Sequence, residues 1–390
     1  MTIQPYFADL HIHIGRDKYK KPVKITGSKN LTLTNILKEA SRRKGINMIG
    51  VIDSHAPDVQ EEIIDLIQKG DAYELDEGGI RFENVTLILG AEIEVYDEHC
   101  KGPLHTLCFF PTLEKMRQFT EWLVGKMKNI TLSSQRYYGT GKALQYETKR
   151  LDGLFIPAHV FTPFKSLYGK GVHESLTEVF DPDLIDGIEL GLSSDTHMAD
   201  QIAELHDYTY VTNSDAHSLA KIAREYQEIW MEEPTFKELN WALHGIEGRY
   251  VGTNYGMNPY LGKYYSTVCS QCYTVNKPDE TKCVHCGSTK IIKGVADRIE
   301  ELATDTVARD RPDYIYQVPL DYIPKLGPKT MTNLLNHFGN EMNVIHKASL
   351  TDLEDIVSKQ IAQMIFDNRV GKLSIEAGGG GKYGRIHIDK

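Results

Sequence analysis

The chain has 390 residues, of which 41% are hydrophobic, and it carries a formal net charge of -10 at pH 7. This composition is that of a globular protein with enough apolar material for two or three domains, and the acidic balance excludes a protein that coats nucleic acid through its overall charge. There is no run of about 18 apolar residues, and the first residues lack the basic start and apolar core of a signal peptide. We therefore expect a cytoplasmic protein that does not cross a membrane.

Residues 1–255 alternate between apolar runs typical of strands and amphipathic runs typical of helices. Helices are predicted within 31–45 and 56–70, between the first strands. The predicted strands are YFADLHIHI, NMIGVID, VTLILGAEIEV, HTLCFF, GLFIPAHV, DGIELG, YTYVTNS and YQEIWM. This alternation predicts an α/β domain with a largely parallel sheet or a closed barrel. In such a barrel, functional groups gather where strands end and loops begin.

Lysine and arginine are concentrated in residues 16–29, which carry six of them against a single aspartate. A patch of this kind either contacts phosphate groups or is simply a solvated loop. The sequence leaves both interpretations open.

Six separate strand ends carry histidine or carboxylate side chains. In ADLHIHIG, alternate side chains share one face of the strand, so Asp9, His11 and His13 point to the same side. The same spacing recurs in VIDSHAP, GAEIEVY and TNSDAHS, and single histidines lie in PLHTLCFF and FIPAHVF. Burying so many ionisable groups is costly unless metal ions neutralise them. The mixture suits two or three zinc, manganese or iron ions, a cluster that fits phosphoester hydrolysis.

This set of motifs resembles that of the PHP (polymerase and histidinol phosphatase) superfamily over about residues 6–255. The resemblance implies a distorted (β/α)7 barrel with a trinuclear metal site. Carried over position by position, it implies these catalytic residues and metal ligands: His11, His13, Asp53, Glu92, His105, His159, Asp215 and His217. The second motif departs from the usual Asp-His pair because Ser54 follows Asp53, so His55 stays an alternative ligand. Asp17 is a weaker candidate for a further ligand.

Residues 256–295 contain four of the six cysteines, as two CxxC pairs separated by ten residues. In a reducing compartment this spacing indicates a zinc site and not disulfides. A site closed by four thiolates cannot activate water, so we expect one structural Zn²⁺ that folds a module with little core of its own. The predicted ligands are Cys269, Cys272, Cys283 and Cys286. Lysines around them favour a contact with DNA: Lys263, Lys277, Lys282 and Lys290.

The last part of the chain predicts a small helical domain. The stretch IPKLGPKTMTNLLNHFG resembles a helix-hairpin-helix, whose backbone amides bind DNA phosphates. Gly327 and Lys329 match that motif, whereas Lys325 stands where its first glycine is usual. An ordinary amphipathic helix after a turn is the alternative. The later run GGGGKYG, with Lys382, either lets the backbone approach phosphates or is a flexible linker.

The predicted domains are therefore a PHP metal-dependent hydrolase domain at 1–255, a four-cysteine zinc-binding module at 256–295 and a helical, helix-hairpin-helix-like DNA-binding domain at 296–390. This combination is similar to the endonuclease Q family over nearly the whole chain. The similarity is carried by LSSQR (132–136), AHVFTPFKSLYG (158–169), ELGLSSD (189–195), TNSDAHS (212–218), the cysteine set and GGGGKYG (378–384).

The family resemblance implies a DNA repair endonuclease that cuts on the 5′ side of deaminated bases (deoxyuridine, deoxyinosine, xanthine) and of abasic sites. It implies attack by metal-activated hydroxide, with zinc, manganese or magnesium in the site, after the lesion is flipped out of the duplex. The expected partners are DNA containing deaminated bases and, as further candidates, replication and repair proteins.

Loops next to the predicted metal site offer candidates for DNA contact: aromatic rings for stacking, hydroxyls for base edges and cations for phosphates. Packing within a loop is the alternative for each of them. The candidates, with those of the C-terminal region, are Arg136, Tyr137, Phe161, Phe164, Lys165, Tyr168, Ser193, Ser194, Lys329 and Lys382.

Two other functions fit part of the sequence. A PHP-type phosphatase for small phosphomonoesters needs neither the cysteine module nor the hairpin. A non-catalytic DNA-binding scaffold would not need the nearly complete set of metal ligands.

Overall fold

The structure is a computed structural model, and it describes residues 2–262, 264–304, 309–376 and 385–386. The β-strands are Gln4–Ile12 (β1), Met48–Val51 (β2), Ala72–Glu74 (β3), Ile80–Phe82 (β4), Val85–Val95 (β5), Leu104–Phe110 (β6), Arg136–Tyr137 (β7), Leu154–Pro157 (β8), Ile188–Glu189 (β9), Tyr210–Val211 (β10), Tyr226–Met231 (β11), Tyr250–Gly256 (β12), Val268–Cys269 (β13), Ile291–Ile292 (β14), Asp313–Tyr316 (β15), Ile375–Glu376 (β16) and Arg385–Ile386 (β17).

The helices lie between these strands and at the C-terminal end of the chain. The α-helices are Leu33–Lys38 (α1), Pro57–Gln68 (α2), Leu113–Leu123 (α3), Gly141–Arg150 (α4), Thr196–Ala199 (α5), Phe236–Leu243 (α6), Val295–Leu302 (α7), Pro328–Phe338 (α8), Leu350–Ile356 (α9) and Lys359–Arg369 (α10). Wider helical turns cover Glu39–Lys44, Leu167–Gly171 and Asn343–Lys347. None of the helices described is long and apolar enough to cross a lipid bilayer.

A ring of seven strands, in the order β1, β2, β5, β6, β8, β9 and β10, confirms the predicted barrel. β8 joins β9 where Val160 N donates a hydrogen bond to Glu189 O at 2.9 Å. The ring closes where the chain after β10 returns to β1, because His13 N donates to Ala216 O and Ala216 N donates to His11 O, both at 3.1 Å. The end of β1 is therefore fixed beside the segment that follows β10.

The sheet is mixed, which corrects the expectation of a largely parallel one. β1, β2 and β5 run parallel, but β6 runs antiparallel to both β5 and β8. The connection between β5 and β6 contains no helix, so the chain turns straight back on itself as a hairpin, which must be antiparallel.

Burial of the predicted apolar runs explains why the barrel forms. All but one residue of β5 is buried, as is all of β6, which is typical of strands covered on both faces. Helix α2 begins with proline and presents Val59, Ile63 and Leu66 to the core at helical spacing. Gly50 lets β2 lie against β1, because a Cβ there would be 2.3 Å from Leu10 O.

Strands outside the ring extend the sheet toward the C-terminal part of the chain. β11 pairs antiparallel with the first half of β1, β12 pairs with β11, and β15 pairs parallel with β12. The sheet thus crosses the predicted boundary between 255 and 296, and the three domain ranges stay a prediction.

Helix α7 anchors the segment after the cysteine module to the barrel. The buried Arg298 side chain donates hydrogen bonds to the backbone carbonyls of Tyr168 at 2.9 Å and His173 at 2.6 Å. Both carbonyls lie in the long connection that follows β8. Helix α7 and that connection are therefore held together.

The helices α8, α9 and α10 pack against one another and against the barrel. Lys44, at the end of the turn after α1, is buried with its ammonium 2.8 Å from Glu341 Oε2. Gly327 is the N-cap of α8, and Lys325 has φ +68°, the left-handed conformation for which the hairpin motif normally uses glycine. The run GGGGKYG with Lys382, and also Lys263, lie outside the described residues.

Candidate metal centre and surrounding surface

One end of the barrel collects the side chains that the sequence motifs predict. His11 and His13 lie at and just after the end of β1, and Asp215 follows β10. Because β6 runs in the opposite direction, its first residues meet the last residues of β5, and His105 pairs in register with Glu94. The antiparallel pairing therefore brings the end of β5 and the beginning of β6 to the same rim of the barrel.

Three overlapping groups of ligand atoms form at this rim, and within each group the atoms lie within 4.8 Å of one another. The groups are His11, His13 and Glu92; His13, Asp215 and His217; and Glu92, His105 and His159. Because His13 and Glu92 are shared, the three groups form one continuous cluster. Seven of the eight predicted ligands belong to it.

The chemistry of this cluster fits divalent metal ions. The Nε2 atoms of His11, His13 and His105 are buried, and none has a hydrogen-bond partner among the described residues. Buried polar atoms without partners are uncommon in native proteins, and here a bound cation would satisfy them. Imidazole nitrogens and carboxylate oxygens in such numbers suit zinc or manganese.

The surroundings of both carboxylates of the cluster favour the ionised form. Burial alone would raise the pKa of Glu92, but His105 and Lys24 hold that pKa well below its ordinary value. Burial likewise opposes ionisation of Asp215, and His11 and His13 hold its pKa well below the ordinary value. Ionised carboxylates are the form that binds cations.

The predicted ligand Asp53 lies behind His13 and belongs to none of the three groups. Its Oδ2 is 3.2 Å from His13 Nδ1 and accepts a hydrogen bond from Ile14 N at 2.7 Å. A carboxylate in this position orients the imidazole, so that Nε2 of His13 faces the cluster. The alternatives His55 and Asp17 are also outside the groups, and Asp17 Oδ1 accepts from the backbone of its own turn.

Glu189 plays a similar part for His11, although it is not one of the predicted site residues. Its Oε1 and Oε2 lie 3.0 and 3.1 Å from His11 Nδ1. The signal in the sequence was the acidic residue near the end of the predicted strand DGIELG.

Lys24 and two serines of LSSQR also reach the cluster and were not among the predicted site residues. Lys24 Nζ lies 3.3 Å from Glu92 Oε2 and donates to Ser134 Oγ at 2.6 Å. Ser134 Oγ donates to the same oxygen of Glu92, and Ser133 Oγ is 3.0 Å from His13 Nδ1. The basic segment 16–29 thus contributes one cation to the site.

Two other lysines of that segment face helix α2. Lys18 Nζ lies 2.7 Å from Asp65 Oδ2, and Lys21 Nζ lies 3.0 Å from Asp58 Oδ2. Two of the six positive charges of the segment are neutralised there.

Four predicted DNA-contacting residues are buried, which contradicts their predicted role. Phe161 and Tyr168 are fully covered and stack on each other with ring centroids 5.4 Å apart. Tyr137 packs on Trp122, and the buried Ser194 hydroxyl donates to Leu190 O. The three rings are packed in the protein interior, and the serine hydroxyl is hydrogen-bonded to the backbone. None of the four therefore presents its group to a base.

Two candidates in the loop after His159 are accessible. Phe164 is 52% exposed and meets the ring of Tyr264 edge-on, with ring centroids 5.5 Å apart. The half-exposed Lys165 lies 2.7 Å from Glu94 Oε2. The exposed ring of Phe164 is therefore followed in the chain by a cation that pairs with β5, two residues from Glu92.

Arg136 is exposed on β7, which pairs with the edge of β5 opposite to the one that pairs with β6. Its guanidinium lies over the rings of Tyr96, at 4.7 Å, and Tyr138, at 5.3 Å. Ser193 is half-buried, and Lys329 is exposed in the first turn of α8.

The four cysteines of the CxxC pairs come together at the short hairpin of β13 and β14. Their Sγ atoms lie within 4.8 Å of one another, with Cys272 and Cys283 at 3.4 Å and Cys269 and Cys286 at 3.7 Å. Hydrogen bonds with Thr274 lower the pKa of the Cys272 thiol, which favours the thiolate that binds metal. The set fits one tetrahedral metal ion.

Comparison with known proteins extends the similarity to the whole chain. No protein-family model matches it. The uncharacterized protein YqxK of Bacillus subtilis is 52% identical over 381 residues, which cover 97% of this chain and 98% of YqxK.

Two solved structures superimpose along nearly the full length. The lesion-specific endonuclease PfuEndoQ from Pyrococcus furiosus is 34% identical with a TM-score of 0.85, and the match covers 99% of this chain and 96% of PfuEndoQ. A complex of endonuclease Q with a 27-mer duplex that has an abasic lesion at the active site is 33% identical, also with a TM-score of 0.85, and the match covers 99% and 97% of the two chains. The similarity therefore includes the cysteine module and the C-terminal helices as well as the barrel.

Proposed function

This chain belongs to the endonuclease Q family, and on that premise we propose that it is a metal-dependent DNA repair endonuclease. We propose further that it hydrolyses the phosphodiester bond on the 5′ side of deoxyuridine, deoxyinosine, xanthine and abasic sites. The observation that carries the proposal is the continuous cluster of His and carboxylate groups at the rim of the barrel, in a chain that matches a lesion-specific endonuclease from end to end.

The cluster would hold two or three divalent ions, with zinc, manganese and magnesium as candidates. Such ions lower the pKa of water and offset the negative charge on a phosphate. The chain holds the imidazoles of His11 and His13 with Nε2 toward the cluster and Nδ1 toward a buried carboxylate. It also keeps Glu92 and Asp215 ionised. Water would attack the phosphorus directly, without a covalent intermediate, and the bond between phosphorus and the 3′ oxygen of the upstream nucleotide would break.

Cations and one aromatic ring around the cluster would place the DNA. Lys24 pairs with Glu92 of the cluster and Lys165 pairs with Glu94, two residues further along β5, so two cations are available for phosphate groups. Phe164 offers an exposed ring on which a base taken out of the duplex can stack. Deaminated bases share a carbonyl where adenine or cytosine has an amino group, so one hydrogen-bond donor at that position would accept them and reject the normal bases.

The cysteine module and the C-terminal helices would hold the duplex on either side of the lesion. The module requires one structural Zn²⁺ on its four thiolates. The N-terminus of α8, where Lys329 is exposed, suits a DNA phosphate. Neither feature is needed by a phosphatase for small phosphomonoesters.

The test is a nicking assay with end-labelled duplexes that contain one deoxyuridine, one deoxyinosine, one abasic site or no lesion. We expect a single cut 5′ of the lesion with divalent metal, no cut with a chelator and no cut in the undamaged duplex. Cutting of undamaged DNA would refute lesion specificity. Release of phosphate from small phosphomonoesters without nicking would favour a phosphatase, and binding without nicking would favour a scaffold.

A further inference from the structure

Glu189 is a buried carboxylate whose two oxygens are occupied by hydrogen-bond donors from three parts of the chain. Oε1 accepts from Asn213 Nδ2 at 2.8 Å and lies 3.0 Å from His11 Nδ1. Oε2 accepts from the backbone N–H of His159 at 2.8 Å. The residue is 1% exposed. Its hydrogen-bonding capacity is thus directed at two histidines of the cluster and at one amide.

The amide of Asn213 fixes the orientation of Glu189. Asn213 Oδ1 accepts from Leu10 N at 2.7 Å and from Gln227 Nε2 at 3.2 Å. With its oxygen held there, the amide must turn its NH2 group toward Glu189. Glu189 therefore has a defined position before any ligand binds.

The contact with His159 supports an unusual backbone conformation. His159 has φ +32°, a value that residues other than glycine seldom adopt. The chain just after β9 comes so close to His159 that a Cβ on Gly191 would lie 2.7 Å from His159 Cβ. In this conformation His159 Nε2 lies 3.3 Å from Glu92 Oε1, inside the cluster. The hydrogen bond to Glu189 helps to hold the strained residue in place.

The contact with His11 decides which ring nitrogen is free. When Nδ1 carries the proton and donates it to Glu189, Nε2 keeps its lone pair. That Nε2 is the buried atom without a partner. Glu189 thus orients His11 on β1 through its ring and His159, just after β8, through its backbone, although β1 and β8 are not neighbours in the barrel.

We propose that Glu189 is a positioning residue of the metal centre: it binds no ion itself but fixes His11 and His159 so that their Nε2 atoms bind the ions. The proposal rests on the proposed function only in that the cluster binds divalent cations. Loss of such a carboxylate partner typically costs about 10- to 100-fold in metal affinity.

The experiment measures Mn²⁺ binding to the full chain, with free Mn²⁺ followed by electron paramagnetic resonance, for wild type and Glu189→Gln. We expect the affinity of the variant to fall about 10- to 100-fold, with the number of ions at saturation unchanged. The matched control is Glu225→Gln, which makes the same substitution at a fully buried glutamate whose hydrogen bonds go to Thr212 and Met257 and to no histidine. The control should bind Mn²⁺ within twofold of wild type.

The other possible outcomes would overturn the positioning role of Glu189. Wild-type affinity in Glu189→Gln overturns the positioning role, and the loss of one ion at saturation overturns it in favour of a direct ligand. Where melting shows that Glu189→Gln does not fold, Glu189→Asp replaces it, because it keeps the charge but is too short to reach both His11 and His159; unchanged affinity there overturns the proposal. Absence of Mn²⁺ binding in wild type would overturn the metal centre and this proposal together.

Discussion

The ammonium group of Lys24 lies 3.3 Å from Oε2 of Glu92, a carboxylate shared by two of the three candidate ligand groups. Lys18 and Lys21 of the same basic segment are paired with carboxylates of helix α2. The fold thus brings one lysine of the segment to the site and holds two others against that helix.

Lys24→Gln should lower the rate of nicking about tenfold or more, because a positive charge at the cluster attracts the substrate phosphate and offsets the charge that develops on it. The measurement is single-turnover nicking of a lesion-containing duplex at saturating metal. Lys21→Gln, which removes a lysine paired with Asp58 on the surface, is the control and should change the rate less than twofold. Equal rates in wild type and Lys24→Gln would contradict a role for this cation.

The double variant His11→Ala, His13→Ala should abolish nicking and leave DNA binding in place, because it removes ligands from two of the three groups without touching the outer surface. Nicking is measured with labelled duplexes and binding by fluorescence anisotropy. His99→Ala, at an exposed histidine, controls for histidine loss as such. Nicking that survives in the double variant would refute the metal assignment.

Cys283→Ser should release one zinc ion per chain and lower both the melting temperature and the affinity for DNA. The module has few buried apolar residues, so its folding depends on the metal. Zinc is counted by atomic emission, and melting and DNA affinity are followed in parallel. The control is Cys100→Ser, whose sulfur contacts Asp97 and no other cysteine of the described chain. Unchanged zinc content in Cys283→Ser would argue against a four-cysteine site.

Phe164→Ala and Phe161→Ala should separate function from stability within one loop. Phe164 is 52% exposed and Phe161 is 1% exposed. We expect Phe164→Ala to weaken nicking of lesions by about tenfold, for a lost stacking contact of about 1–3 kcal/mol, with an unchanged unfolding midpoint. Phe161→Ala should lower the free energy of unfolding by about 3–5 kcal/mol, because it leaves a cavity. Stability is measured by urea unfolding and activity by the nicking assay. A lower unfolding midpoint for Phe164→Ala with unchanged nicking would show that the exposed ring is structural.

Glu225→Gln should change how stability depends on pH. Burial raises the pKa of Glu225 from its ordinary 4.5 to about 7. The folded state therefore holds this proton more tightly than the unfolded state, and the stability of wild type falls relative to the variant as the pH rises from 4.5 to 7. The total change should be about 3 kcal/mol, and it should level off above about pH 7. Urea unfolding of both proteins at several pH values measures it, and a difference that is constant with pH would refute the raised pKa.

Local patterns predicted the α/β domain and placed histidines and carboxylates at strand ends, and the resemblance to the PHP superfamily predicted the barrel and most of the cluster. The two strands of 85–95 and 226–231 were predicted to the residue, because alternation and continuous apolar runs are properties of a few neighbouring residues. The direction of β6 was not part of the prediction, although the short connection after β5, which contains no helix, requires an antiparallel pair. The DGIELG and YTYVTNS runs form strands of only two residues, of which the first ends at Glu189 and the second is followed by the loop that carries Asp215.

The sequence by itself determined the chemistry available to this protein: the spacing of histidines, carboxylates and cysteines, and the apolar periodicity that forms a barrel. Only the tertiary structure decided which of these groups meet. It placed Asp53 behind His13, brought Glu189 and Lys24 to the site, and buried Phe161 and Tyr168 while leaving Phe164 exposed. The reason is physical, because backbone periodicity is set by near neighbours, whereas burial and hydrogen-bond partners are set by segments that lie far away in the chain.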